Sequence, residues 1–149
     1  MYRVLLAVFA VSGAVSIALA QDPVSERRAA MKTIGQHNAV LQPMVRGNAP
    51  YDQAKVDEAL AAWKKAADRL PSLFPAESVK GPDANSNFYA SQKAVEDRPD
   101  LEARIAKFQK SIGEGAASVK DVESLKTFLS AMGPGNCNAC HEVYRARKG

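Results

Sequence analysis

Residues 137–144 read Cys-Asn-Ala-Cys-His-Glu-Val-Tyr. Cys137, Cys140, His141 and Tyr144 recur at i, i+3, i+4 and i+7, which is the spacing of one helix face. Arg145, Arg147 and Lys148 follow, and cations suit the C-terminal end of a helix, where the dipole favours them. Both cysteines of the chain and one of its two histidines lie in the pentapeptide 137–141. Two cysteines cannot make a disulfide-rich scaffold. Three ligands packed into five residues have the wrong spacing for a structural zinc site.

The helical period extends upstream from this stretch. Gly133-Pro134-Gly135 precedes it and is expected to break or kink the helix that arrives there, because proline removes a donor and clashes with the preceding turn. Val122, Leu125, Leu129 and Met132 mark the buried face of that arriving helix. Ser118 to Asp121 reads as its capping box, with Asp in the place of Glu. Leu101, Ile105, Phe108 and Ile112 give another helix, opened near Asp97 with Pro99 in its first turn and closed by Gly113 and Gly115.

Asp52 can cap a helix carrying Val56, Leu60, Trp63, Ala67 and Leu70, which Pro71 ends. Residues 24–46 carry Val24, Met31, Ile34, Leu41 and Val45 on one stripe, and Gly47 and Pro50 close it. Arg27 and Asn38 intrude on that stripe. The segment from about 71 to 97 is long for a loop and is expected to hold helical turns of its own. No β-branched alternation or Asn-Gly hairpin appears. The reading is all-α, an antiparallel four-helix bundle.

The first twenty residues stand apart. Met1-Tyr2-Arg3 leads an uncharged, mostly apolar run to Ala20, and Ala18-Leu19-Ala20 is a small-x-small cleavage signal. This reads as a secretory signal peptide over 1–20, leaving a mature domain 21–149. The run is short of the ~20 apolar residues a membrane span needs, so no stable membrane insertion is expected after cleavage. Without Arg3 the chain holds nineteen basic and sixteen acidic residues, a net charge of +3. That is too mild to indicate nucleic acid, and no basic run with interleaved aromatics supports one. No acid–base or nucleophile constellation marks an enzyme.

Three chemistries compete for Cys137, Cys140 and His141. Two thiols three residues apart on a helix can add to the two vinyl groups of one porphyrin, while the adjacent imidazole faces the iron; the pentapeptide is that of c-type haem attachment. Dithiol exchange would want the motif after a strand in a βαβ unit, which the sequence lacks. Metal binding lacks ligands. A lone structural disulfide or two free thiols is the plain alternative. Haem answers one further problem: a last helix facing the core with Cys, Cys, His and Tyr lacks bulk, and a porphyrin in the bundle would supply it.

The sequence resembles the cytochrome c′ family, the class II c-type cytochromes. The matching features are the C-terminal Cys137-x-x-Cys140-His141-x-x-Tyr144-Arg145, the first-helix Arg27-x-x-x-Met31, Met44-Val45-Arg46-Gly47, Ala49-Pro50-Tyr51-Asp52 and Leu70-Pro71-x-Leu73-Phe74-Pro75. The resemblance spans essentially the whole mature chain. It implies one covalent haem c inside the bundle of a periplasmic protein, often a homodimer, with protein redox partners. It also implies His141 as proximal ligand and Arg27 beside the haem propionates, whereas an isolated reading of Arg27 leaves it snorkelling at the bundle edge.

Met31 then faces the distal side of the iron. In a low-spin subgroup a methionine there ligates the iron and gives an electron carrier. In five-coordinate, high-spin members the distal side stays open and binds nitric oxide or carbon monoxide. Met31 as sixth ligand and an electron-carrying function are the expectation, with gas binding the alternative. His37 falls off the Met31 face and is expected toward solvent or in packing. Met44 is expected in the core, Trp63 and Phe74 in the core or at the haem edge, and Tyr144 on the proximal side. Two departures from the family stand out. Gly133-Pro134-Gly135 interrupts the last helix, and Val95 lies where a large aromatic usually opens the third, so the haem edge there is either more open or covered from the loop by Phe88 and Tyr89.

Overall fold

The computed structural model describes residues 22–82 and 86–149. The signal peptide expected over 1–20 lies outside the described residues. Helix α1 (Pro23–Val45) opens with Asp22, whose carboxylate accepts from the backbone N–H groups of Val24 and Ser25, and with proline in the first turn. It closes in a Schellman turn. Gly47 adopts φ 72°, its N–H donates to Met44 O, and Asn48 N–H donates to Pro43 O. Helix α2 (Gln53–Arg69) starts at Asp52, which accepts from Lys55 N–H at 3.2 Å.

The stretch that follows α2 carries 3₁₀ turns over Leu70–Leu73 and Ala76–Ser78 and the single-turn helix α3 (Lys93–Glu96), as its length predicts. Helix α4 covers Arg98–Ser118 and α5 covers Val122–Met132. A π turn over Gly133–Asn138 leads into α6 (Ala139–Tyr144). Helix α1 packs on α2, α2 on α4, α4 on α5, and α5 back on α1. The short α1–α2 and α4–α5 connections make those neighbours antiparallel, and the architecture is the expected four-helix bundle, with α5, the π turn and α6 forming its last member.

Trp63 is the hub of the core. It is 2% exposed, and its ring lies 6.5 Å from that of Phe108 and 6.1 Å from that of Phe128, so residues of α2, α4 and α5 meet there. Its indole N–H donates to Ile34 O of α1 at 3.0 Å, which satisfies the one polar group that burial would otherwise orphan.

Four expectations are corrected. Gly113 and Gly115 do not end α4, which runs on to Ser118. Gly115 instead permits close approach, since a Cβ there would stand 2.3 Å from the Phe128 ring. The capping box of α5 is Asp121 with Ser124, not Ser118 with Asp121: Ser124 N–H donates to the Asp121 carboxylate at 2.8 Å, and Ser124 Oγ accepts from Asp121 N–H at 3.1 Å.

Gly133-Pro134-Gly135 does not break the last helix. The chain absorbs proline in a wider turn, in which Ala139 N–H reaches back five residues to Pro134 O. Finally, a two-stranded antiparallel ribbon exists where no strand was expected. Strand β1 (Phe88–Ala90) pairs with β2 (Arg145–Arg147), so Arg145 and Arg147 lie in an extended segment past the helix and not in its last turn.

Candidate functional site

One cavity of about 520 Å³ opens between α1, residues 78–82 and 86–90, and the end of α6. Its volume lies in the range of cofactor and ligand pockets. Arg27, Met31 and His141 all line it, so residues more than a hundred positions apart in the chain share one cavity. Arg27 and Met31 are one turn apart on α1 and face the same way. Cys137 and Cys140 do not line the cavity. They lie half-buried against the core just ahead of His141.

Arg27 is only 9% exposed, so it does not snorkel at the edge. Its guanidinium donates to Leu73 O, to Ser78 Oγ at 3.2 Å and to Ser78 O at 3.3 Å. It stacks on Phe74 with 4.7 Å to the ring centroid. This explains the cation on an apolar stripe. The segment after α2 wraps it in oxygens and one aromatic face, leaving it rigid at the cavity wall. Asn38, the second intrusion on the stripe, accepts from Gln42 at 3.3 Å within its own helix.

His141 is half-buried, and burial, reinforced by the charge of Arg145, pulls its imidazole below the ordinary histidine range. The neutral imidazole is the form that binds a metal. Burial raises both Cys137 and Cys140, so the thiols stay protonated in the folded chain. Tyr144 lines the same cavity, is buried and donates to the Asp100 carboxylate at 2.5 Å. Arg104 donates to the same oxygen at 2.5 Å and to Ala139 O at 2.8 Å. This Asp100–Arg104–Tyr144 cluster anchors the motif helix to α4. The sequence expectation for Tyr144 is packing on the proximal side; its partners Asp100 and Arg104 carry no local signal.

Phe88, Tyr89 and Ala90 line the cavity from the ribbon, and Arg145 stacks on Phe88 at 4.6 Å. Ser78 is a further residue that sequence reading misses; it is buried and holds Arg27 from a loop with no periodicity to flag it. Met44, Trp63 and Phe74 are core residues. His37 is half-buried and is not among the residues lining the cavity.

The donor set fits a covalently held haem. The last helix carries two thiols at thioether spacing, a neutral imidazole lies on one wall, and a thioether and a fixed guanidinium lie on another. Cys137, Cys140, Val143, Met31 and Ile34 pack on the core yet remain partly exposed. A four-helix bundle with this pentapeptide on its last helix is of the class of helical c-type haem proteins.

Comparison with known proteins narrows the class. The family model described as Cytochrome C′ matches residues 22–145, and the chain belongs to that family. Its members carry one covalently attached haem c with iron. Cytochrome c-556 of Rhodopseudomonas palustris is 37% identical over 130 residues, covering 87% of this chain and 86% of that one. Cytochrome c′ of the same organism is 34% identical over 127 residues, covering 85% and 84%. The solved structure of cytochrome c′ from Rhodopseudomonas palustris superposes with a TM-score of 0.75 at 34% identity, covering 86% of this chain and 98% of that one. Among the described residues no helix is long and apolar enough to cross a membrane.

Proposed function

We propose that the protein is a periplasmic electron carrier, not an enzyme, with haem attached through Cys137 and Cys140, His141 as proximal ligand and Met31 as sixth ligand. The observation that carries this reading is that Met31 and His141, from the first and last helices, line one cavity. Met31 is half-buried, with part of its surface left uncovered by the core. A thioether is a ligand for haem iron, and one beside a neutral imidazole raises the reduction potential and closes the site to other ligands.

When bound, the haem supplies a one-electron couple. The chain's own residues do the rest. His141 presents an unprotonated nitrogen. Arg27, already fixed by Leu73 and Ser78, offers its charge to the propionates at the cavity wall. Phe88 and Tyr89 restrict water at the edge. Acidic redox partners suit the net charge of +3, and a homodimer is the proposed assembly.

Absorption spectroscopy of the exported holoprotein tests the reading. A low-spin reduced spectrum that turns high-spin in Met31→Ala is expected. A wild-type protein that is already high-spin and shifts with carbon monoxide would replace electron transfer with gas binding at an open distal site.

A further inference from the structure

The π turn at Gly133–Asn138 resets the rotation of the last helix. In an unbroken α-helix each residue advances about 100°. The buried stripe of α5 runs through Leu125 and Met132, 0% and 2% exposed. Counted onward from Met132 at α-helical pitch, Cys137 would stand about 140° off this stripe, Tyr144 about 120°, and His141 on the opposite face at about 180°.

One extra residue in a π turn takes back about 100° of rotation. Cys137 then lies within about 40° of the stripe, Cys140 and Tyr144 within about 20°, and His141 at about 80°. The observed burial follows the second count: Tyr144 is 4% exposed, both thiols are half-buried on the core, and His141 lines the cavity wall.

The turn is also held from outside. Widening a helix loosens its carbonyls, and α4 supplies a donor to one carbonyl of the turn, one to the first residue of α6 and one to a side chain of the turn. Lys107 Nζ donates to Gly135 O at 2.9 Å, Arg104 donates to Ala139 O at 2.8 Å, and Ser111 Oγ reaches Asn136 Oδ1 at 3.5 Å. Positions 104, 107 and 111 are spaced as one face of α4.

We propose that the π turn is a register device. Its one extra residue, gripped by Arg104 and Lys107, rotates Cys137 and Cys140 onto the buried stripe and brings His141 to the cavity that Met31 lines. Arg104 and Lys107 are positioning residues. The device rests on the haem reading above.

What matters under this proposal is residue count, not glycine itself. Gly133 and Gly135 have no left-handed backbone, and a Cβ at either meets nothing within 4 Å. The test compares three exported holoproteins: wild type, Gly135→Ala and deletion of Gly135. Mass spectrometry reads covalent haem; the reduced spectrum and the unfolding midpoint read register. Gly135→Ala is expected to match wild type in both, and the deletion to change the spectrum and lower the midpoint.

A deletion that matches wild type overturns the proposal, and so does a Gly135→Ala protein that behaves like the deletion. Should the deletion fail to fold, the paired change Arg104→Met with Lys107→Met decides: a shifted spectrum supports the register device and an unchanged one overturns it. A wild-type mass without haem would instead sink the reading on which the device rests.

Discussion

Arg27 is the residue whose surroundings say most about the site. A buried guanidinium costs several kcal/mol unless its donors are met. Here two carbonyls and a hydroxyl meet them, and Phe74 covers its face. Met31, one turn on, needs no such support and is free to serve as a ligand. Tyr144 makes a residue-scale prediction of its own. Burial, with the hydrogen bond to Asp100, pushes its phenol up to about 12 from the ordinary 10.0. A raised folded-state value means that its contribution is intact below about pH 10 and is lost as pH rises from there toward 12. The unfolding midpoint of the wild type should therefore fall through that window, and Tyr144→Phe should flatten the fall. Equal slopes in the two proteins would refute the assignment.

Helices α4 and α5 meet where a side chain is missing. Gly115 is buried inside α4, and the Phe128 ring fills the space its Cβ would take. Gly115→Ala gains up to about 1 kcal/mol of helix propensity. It also overpacks against an aromatic ring, at a cost of about 1–3 kcal/mol. The clash should win, and urea denaturation should show a net loss. Phe128→Leu in the same chain should recover most of it, a coupling that a double-mutant cycle measures; strictly additive losses would show that ring and glycine do not meet. Deletion of the Asp121 side chain makes a second element-scale test. Asp121→Ala removes one arm of the capping box and should lower the melting temperature by fraying the start of α5.

The whole bundle is tied at Trp63. Three helices contribute the rings that meet there, and a fourth accepts its indole proton. Trp63→Ala should cost about 3–5 kcal/mol, the range for emptying a large aromatic from a core. Trp63→Phe should cost less, retaining volume while leaving Ile34 O without its donor. A loss within experimental error for Trp63→Ala would mean that the core closes elsewhere. The same connectedness makes the cavity: α1 and α6 reach it from opposite ends of the chain, and residues 78–82 and 86–90 form its third side.

Much of this was readable from local chemistry. Helix periods, aspartate caps and the Schellman glycine each act over a few residues, so α1, α2 and most of α4 and α5 follow from spacing alone. The pentapeptide likewise announces haem attachment through the reactivity of its own side chains. Other features depend on partners distant in sequence. Gly115 looks like a helix stop until Phe128 packs against it. Gly133-Pro134-Gly135 looks like a break until Ala139 N–H closes the wider turn on Pro134 O and Lys107 of α4 donates to Gly135 O. The β1–β2 ribbon has no strand signature, because its pairing comes from the chain being brought alongside itself, with Ser91 N–H and Lys148 N–H extending the ladder. The sequence by itself thus determined the helices and the attachment motif, which rest on short-range geometry. Only the tertiary structure decided which residues share the cavity and at what angle the last helix presents its thiols, because those depend on contacts that close across the whole bundle.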